Sequence, residues 1–480
     1  MASVMVSNAK DKGSLDRRPS DALMCLQLRG AAAQFIEGRT LVFLVCNLRC
    51  LLLLVASCGL SYSQPALPKE WLLTTDLYGN PLHQRLTILS ERGNLTGALD
   101  GDRLIGKQSG SHVHFIATDK RNNTTEVDAD LRQNAMSGEM SMTSAASPDV
   151  HVKHQFAGYS LETQPTRPPR TVEFKPTKFY NRFSAEIAPV LTIWPGDTIH
   201  TQTIDSGGID EHGVTKALYG NPQTGPFYVG GAERGDVLAI HIKRLRLNRD
   251  YADSLDAIAE RVKDSRLAVL AKDLGSRVRW KLDLEKGVAR LDGATEHLKN
   301  FTVPLKPMLG CVGVAPDFGF APFSTGEQGR YGGNMDFNEV TQGSTVFLNV
   351  TQPGALLYIG DAHAAMGDGE TTEWALETSM DVEFSVEVLK NRFISSPRVE
   401  TTTHYAAVGI AGSLEDAMRR ATSGMLQWLQ QDYHLGVAEA ALVLGSSAEY
   451  RISEIADRDA SVVLKLRKDL LRNIADVSRR

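Results

Sequence analysis

The densest group of ionisable side chains in this sequence lies in the run of residues 360–370, which is otherwise rich in glycine and alanine. Its four ionisable residues are Asp361, His363, Asp368 and Glu370. Small neighbours let a backbone, a substrate or a metal ion approach closely, and carboxylates beside an imidazole serve hard-metal binding or acid–base catalysis. Residues 355–359 are apolar and follow the turn pair Pro353-Gly354, which predicts a short buried strand. We therefore expect the acidic groups where this strand leaves the core.

Two further polar clusters have the same character. Residues 205–212 follow a predicted strand and residues 332–336 contain two glycines before Asn334 and Asp336. Strand ends from distant parts of a sequence converge in a β protein, so Asp205, Asp336 and His363 could meet around one ion. Mixed carboxylate and imidazole ligation suits Zn²⁺ or a similar divalent metal, whose water a nearby acid could activate. Each residue alone also fits a turn or a solvated loop, and only their joint occurrence favours a site.

Nucleophile motifs are missing from the sequence. It has no G-x-S-x-G elbow and no H-E-x-x-H zinc motif. Cys311, between Gly310 and Val312, could act as a thiol nucleophile, but a cysteine in such a small-residue setting is more often a packing residue. We favour packing for Cys311.

The elements that must position these residues are mostly strands. A glycine-containing turn repeatedly precedes an alternating or apolar segment, which predicts strands at 198–203, 237–247, 345–350, 355–359 and 380–389. Helical spacing predicts helices at 254–274, 413–433, 437–444 and 466–477. The predicted fold class is mainly β with α+β additions: a β-sandwich core with C-terminal helices.

The segment before this core predicts a separate module. Between residues 71 and 142, short alternating segments are separated by turns about every ten residues, which is typical of a small antiparallel sheet or barrel. A proline-containing stretch then predicts a linker. The predicted organisation is a leader at 1–63, an antiparallel β module at 64–147, a linker at 148–180, the main domain at 181–457 and a helical tail at 458–480.

The leader and the composition limit the partners. A formal charge of -5 over 480 residues, without a basic run, argues against nucleic acid. Residues 41–60 are apolar with Arg49 inside them, and small residues follow, which predicts a secretory signal cleaved before Gln64 and an exported, periplasmic or extracellular protein. Lipid attachment at Cys58 is the alternative, so membrane contact is expected only through the leader or this anchor. Cleavage leaves Cys311 alone, which excludes an intrachain disulfide and a cysteine zinc site.

Four ordered motifs carry a family resemblance. They are residues 220–229 (GNPQTGPFYV), 231–236 (GAERGD), 332–336 (GGNMD) and 363–370 (HAAMGDGE). Together they resemble the acetamidase/formamidase family over residues 184–455. The sequence departs from the family pattern at Arg234, where proline is usual, and at Met366, where glutamine is common.

The resemblance implies hydrolysis of short linear amides such as formamide or acetamide to carboxylate and ammonia, by a metal-dependent and oligomeric β protein. It implies Asp205, Asp336 and His363 as metal ligands and Glu370 or Asp368 as general base. Asn221, Gly225 and Asn334 become the substrate-binding candidates, because the Asn-Pro loop could offer amide donors to an oxyanion. The alternative is an exported ligand-binding protein built on a degenerate amidase fold.

Overall fold

The structure of the protein is a computed structural model that describes residues 70–319 and 322–474. The predicted leader, its cleavage point and Cys58 lie outside these residues. None of the described helices has the length and apolar character needed to cross a membrane.

The N-terminal module is a closed antiparallel barrel in which each strand pairs with the next and the last pairs with the first. Its strands are β1 Glu70–Leu77, β2 Asn80–Glu91, β3 Asn94–Leu99, β4 Asp102–Ser109, β5 His112–Thr118, β6 Thr124–Arg132, β7 Ala135–Ser144 and β8 Ser147–Ser160. Alternate side chains fill the interior, among them Trp71, Phe115 and Phe156. Closure removes the exposed strand edges that an open sheet of this size would leave.

The linker begins later than predicted, because residues 147–160 form β8 and complete the barrel. Pro148 suggested a linker, yet it lies at the start of the strand, where a missing N–H costs little. The interior-facing residues His154 and Phe156 are buried and fix the register of this strand.

The strands after the barrel form two large sheets and a two-stranded pair. Their bounds are β9 Thr171–Glu173, β10 Arg182–Phe183, β11 Leu191–Ile193, β12 Thr198–Thr203, β13 Thr224–Val229, β14 Val237–Leu247, β15 Tyr251–Leu255, β16 Arg277–Asp283, β17 Val288–Leu291, β18 Thr302–Pro304, β19 Met308–Val314, β20 Phe323–Ser324, β21 Gln328–Gly329, β22 Gly332–Asn334, β23 Thr345–Asn349, β24 Leu357–His363, β25 Glu377–Thr378, β26 Met380–Leu389, β27 Arg398–Glu400, β28 His404–Ala411, β29 Glu449–Glu454 and β30 Ala460–Arg467.

The first sheet has the order β18-β17-β16-β15-β25-β24-β19-β22-β21, with β13 also paired to β24 and β11 to β13. The second sheet has the order β29-β30-β28-β27-β23-β14-β26-β12-β9, and β10 pairs with β20. One hydrophobic cluster contains side chains from both large sheets, including Val312 and Ile359 of the first and Ile240 and Phe384 of the second. The mainly β class is confirmed.

Few helices accompany the sheets. They are α1 Ser265–Leu270, α2 Leu414–Tyr433, α3 Val437–Ser447, α4 Lys468–Leu471 and a 3-10 turn at Glu260–Val262. Helix α2 begins as predicted, with the Ser413 hydroxyl accepting from the Asp416 amide at 3.1 Å. Its buried face, including Met425 and Trp428, packs on Leu464 of the second sheet.

Two helical predictions hold only in part: α4 occupies four residues of the predicted helix 466–477, whose last three residues lie outside the described ones, and α1 occupies six residues of 254–274. Residues 460–467 of the predicted helical tail form β30, which pairs with β28 and β29. This strand is apolar on both faces, because Val463 points into the shared core and Leu464 towards α2, so its pattern lacks the alternation expected of a strand. Residues 254–255 belong to β15, the rest of the range 254–274 is helical only in α1 and the 3-10 turn, and Leu270 and Leu274 are exposed.

Candidate active site

Strand β24 carries the first two site residues. It extends to residue 363, four residues beyond the predicted end, because small residues pair closely here: Gly360 lies opposite Cys311 of β19. Asp361 and His363 are therefore inside the sheet, 3% and 1% exposed, rather than at a strand exit. As residues two apart on a strand they point to the same side.

Four carboxylates surround the imidazole of His363. Its Nε2 lies 3.2 Å from Glu377 Oε1, 3.4 Å from Asp361 Oδ1 and 3.9 Å from both Asp336 Oδ1 and Glu370 Oε1. All five side chains are buried. Buried charges of one sign are retained in proteins when they bind a cation or share protons.

A fifth carboxylate, Glu454 at the end of β29, completes the cluster. Ligand atoms of Asp336, Glu370 and Glu454 lie within 4.8 Å of one another. His363 belongs to two more triads with the same spacing, one with Asp336 and Asp361 and one with Glu370 and Glu377. The main chain brings Glu454 here, because Gly369 exchanges hydrogen bonds with Ser453 and Ile455. The cluster thus joins the run 360–370 to the C-terminal strand.

Several buried atoms of this cluster have no hydrogen-bond partner among the described residues. They are both ring nitrogens of His363, both carboxylate oxygens of Asp336, Glu377 Oε2 and Glu454 Oε2. An unpaired buried polar atom costs about 1–3 kcal/mol. These are the atoms through which the cluster could hold a cation.

Burial and the neighbouring charges shift the pKa values of the side chains in the cluster. Burial raises the pKa of Asp336 well above its usual range, and the Asp361 and Glu454 carboxylates raise it further. Burial would lower the pKa of His363, but Glu377 and Asp361 outweigh burial and raise it well above its usual value. Burial, followed by the repulsion of Asp457, raises the pKa of Glu454 to about 8.

Gly310 of β19 makes room for two of these carboxylates. A Cβ at this position would lie 2.2 Å from Asp336 Oδ1 and 2.6 Å from Asp361 Oδ2. The backbone amides of Met335 and Asp336 both donate to the Gly310 carbonyl oxygen, at 3.1 and 3.2 Å. Sequence reasoning treated Gly310 only as a neighbour of Cys311.

Site residues also occupy unfavourable backbone conformations. Asn221, Asp336, Asp361 and Glu370 all have positive φ, at 54°, 40°, 55° and 45°. Left-handed backbone in non-glycine residues costs roughly 1–3 kcal/mol and tends to gather at functional sites. The surrounding sheet therefore holds these four side chains in orientations that a free chain would not adopt.

Two asparagines support the cluster from one side. Asn221 Nδ2 donates to Asp361 Oδ2 at 3.2 Å and to Asn334 Oδ1 at 2.8 Å, and Asn334 Nδ2 donates to Asp457 Oδ2 at 3.0 Å. Both residues were predicted to bind substrate. In the structure the Asn221 amide contacts Asp361 of the cluster, and the Asn334 amide contacts Asp457 beside it, so both asparagines could position carboxylates.

Asp205, the third predicted ligand, is not brought into the cluster. Its Oδ2 accepts from Arg249 Nη2 at 2.7 Å and its Oδ1 accepts from the Ile209 amide at 2.7 Å. Both side chains of this ion pair are buried, at 3% and 1% exposed. Arg249 also donates to the Glu377 carbonyl oxygen at 3.1 Å, so the pair supports the backbone behind the site.

Asp368 and Gly225 also lie apart from the cluster. The Asp368 side chain is 43% exposed and forms an ion pair with Arg451, while Glu370, two residues away, points inwards. Gly225 lies in β13, where a Cβ would come 2.6 Å from the Leu357 carbonyl oxygen, so it allows β13 to approach β24. Of the two predicted bases, the structure places Glu370 at the site.

Sequence reasoning missed Asp361, Glu377 and Glu454 as site residues. Asp361 carried a usable signal, because it lies two residues before His363 and shares its strand face. Glu377 and Glu454 carried none, since neither lies in one of the four motifs and the position of each depends on long-range pairing. Cys311 is buried, and burial raises the pKa of its thiol well above the usual value, which agrees with the packing role.

Comparison with known proteins finds similarity to one family model and to several solved structures. Residues 324–455 match the Acetamidase/Formamidase family model. A predicted formamidase of Schizosaccharomyces pombe is 44% identical over 61 residues, which are 12% of this chain and 15% of that relative. The matched segment therefore spans well under two thirds of the relative's length.

Solved structures match over a longer stretch. An acetamidase from Bacillus halodurans is 28% identical with a TM-score of 0.53, covering 63% of this chain and 100% of its own. An acetamidase from Yersinia enterocolitica is 29% identical with a TM-score of 0.56, covering 64% and 95%. A predicted acetamidase/formamidase from Thermoanaerobacter tengcongensis is 26% identical with a TM-score of 0.54, covering 65% and 99%.

Proposed function

We propose that this chain, which contains an acetamidase/formamidase family domain, is a metal-dependent amidohydrolase of short linear amides such as formamide or acetamide. The family match and the acetamidase structures support the reaction class. The observation that carries the metal dependence is the buried group of five carboxylates around His363. Two facing sheets, the sandwich predicted from the sequence, form the proposed scaffold.

The donor set fits a divalent cation such as Zn²⁺. Asp336, Asp361 and His363 offer two carboxylates and an imidazole within 4.8 Å, a mixture that suits Zn²⁺. The unpartnered buried atoms of Asp336 and His363 are the ones a cation would satisfy. A bound divalent ion would polarise the amide carbonyl and make a water molecule more acidic.

The remaining residues supply proton transfer. Glu370 Oε1 accepts from the Ala375 amide at 2.8 Å, which fixes the carboxylate at the edge of the His363 group. From there it takes a proton from the attacking water and returns it to the leaving nitrogen. Glu454, whose pKa is raised to about 8, holds a proton near neutral pH beside Glu370.

Ammonia release from formamide, acetamide and propionamide, with and without a chelator, tests this function. We expect release that a chelator abolishes and added Zn²⁺ restores. Release that persists in chelator and disappears in Cys311→Ala would replace the metal with a thiol. No release with any divalent metal would leave the exported ligand-binding protein as the better description.

Three variants test the assignment of roles. Glu370→Gln should retain bound metal and lose at least about a hundredfold in kcat, because it removes only the base. His363→Ala should lose the metal, measured by elemental analysis. Asp368→Asn is the matched control: the same kind of charge is removed two residues away, outside the cluster, and metal content and kcat should stay unchanged. Loss of metal in Glu370→Gln would instead make Glu370 a ligand.

A further inference from the structure

A cavity lies between helix α2 and the second sheet. Its volume is about 200 Å³, and its wall includes Phe347, Ile394, Arg398, Tyr405, Trp428 and Asp432. None of the residues of the His363 cluster lines it. Its lining thus combines three aromatic rings with the buried guanidinium of Arg398.

The guanidinium belongs to Arg398 of β27, which is only 2% exposed. Its Nη2 donates to Gln431 Oε1 at 2.8 Å and to Gln427 Oε1 at 3.2 Å, and its carbon lies 4.8 Å from the Trp428 ring centre. Its Nε is buried and has no hydrogen-bond partner in the described part of the chain. Burial lowers the pKa of Arg398 to about 10, so the group stays cationic at neutral pH.

The acids around this cavity are already paired with other cations. Asp432 forms an ion pair with Arg392 and accepts from Trp428 Nε1 at 2.8 Å. Glu400 pairs with Lys468 at 2.6 Å. No carboxylate lies within ion-pair distance of Arg398 in residues 70–319 and 322–474. Of the three cations Arg392, Lys468 and Arg398, Arg398 is thus the one that forms no ion pair within the described residues.

We propose that this cavity binds a small monocarboxylate, with the carboxylate on Arg398 and a short apolar body against Phe347, Tyr405 and Trp428. A buried charge is strongly unfavourable unless it is paired, and a carboxylate supplies both the charge and acceptors for the fixed guanidinium donors. The aromatic part of the wall favours an anion that carries an apolar body over an inorganic anion. The volume limits the ligand to a few carbon atoms beyond the carboxylate.

This site is independent of the proposed amide hydrolysis, because binding here requires neither metal nor turnover. If amide hydrolysis is also correct, the ligand is of the same chemical class as the carboxylate product. A test must therefore separate binding in this cavity from product binding at the His363 cluster. The variant His363→Ala provides that separation.

The proposal is tested by titrating butyrate into His363→Ala and into the unmodified protein. Binding is measured by calorimetry and by tryptophan fluorescence. Butyramide, with the same shape and no charge, is the control ligand. We expect butyrate to bind both proteins with equal affinity, butyramide at least about tenfold more weakly, and the fluorescence response to disappear in Trp428→Phe. The charge-assisted hydrogen bonds that butyramide cannot form set this tenfold lower limit.

Arg398→Gln should weaken butyrate binding at least about tenfold without lowering the thermal midpoint of the free protein, because it removes an unpaired buried charge. Arg398→Lys keeps the charge and should retain binding if the Gln variant does not fold. Arg266→Gln removes the same charge from an exposed site and should change nothing. Two binding results would overturn the proposal: butyramide binding as tightly as butyrate, or butyrate binding unchanged in Arg398→Gln. It would also be overturned if butyrate did not bind and Arg398→Gln dissociated a dimer.

Discussion

Gly310→Ala should damage the cluster while leaving the fold in place. The added methyl group would lie 2.2 Å from Asp336 Oδ1 and 2.6 Å from Asp361 Oδ2. An ordinary contact begins at 3.4 Å, so the two carboxylates must move by about 3.4 − 2.2 = 1.2 Å and 3.4 − 2.6 = 0.8 Å. Gly310 is not among the residues with positive φ, so alanine is compatible with its backbone.

A displacement of about 1 Å in a catalytic constellation costs on the order of a hundredfold in rate. We therefore expect kcat/KM for acetamide to fall about a hundredfold, with weaker retention of metal during dialysis. Overpacking of a dense interior costs about 1–3 kcal/mol, so the thermal midpoint should fall by several degrees without loss of cooperative unfolding.

Gly367→Ala is the matched control, because Gly367 lies in the same run as Glu370 and a Cβ there meets nothing within 4 Å. Its activity and metal content should equal those of the unmodified protein. A double-mutant cycle that combines Gly310→Ala with Asp361→Asn tests whether the methyl group acts by displacing Asp361. If it does, the effects of the two substitutions on kcat/KM should be less than additive. Activity of Gly310→Ala within threefold of the unmodified protein would refute the argument.

Three more outcomes follow from the site. In chelated protein, the free energy of unfolding should fall as pH rises from about 4.5 to about 8. The reason is the raised pKa of Glu454: in this range the folded state holds a proton that the unfolded state has released. Glu454→Gln should flatten this pH profile in thermal melts. Asn221→Ala should lower metal affinity or kcat/KM by about 10–100-fold, because it removes a hydrogen-bond donor to Asp361. A change in metal affinity of less than twofold in metal titrations would contradict a positioning role. Asp205→Asn should keep bound metal but lose about 3–5 kcal/mol of unfolding free energy in denaturant melts, because it leaves Arg249 buried and unpaired. Loss of metal with normal stability would instead make Asp205 a ligand.

Local patterns were sufficient for much of the fold. Strands β12, β14 and β26 follow turn signals with alternating or apolar residues, and the helix after Ser413 follows its capping pattern. The barrel could be predicted as a small antiparallel module, because its turns recur at regular spacing. Predictions failed where burial on both faces hid the alternation of a strand, as in β30, or where apolar spacing resembled a helix, as at residues 254–274.

For the site, the sequence by itself singled out Asp336, His363 and Glu370, because chemistry-bearing residues beside glycines are visible without a structure. It could not separate Glu370 from Asp368, which share a run but point in opposite directions: one into the cluster, the other to Arg451 and solvent. It also could not recognise that Asp205 is neutralised by Arg249. Only the tertiary structure decided these matters, since sheet pairing sets which acids from distant segments meet at His363 and which find a cation of their own.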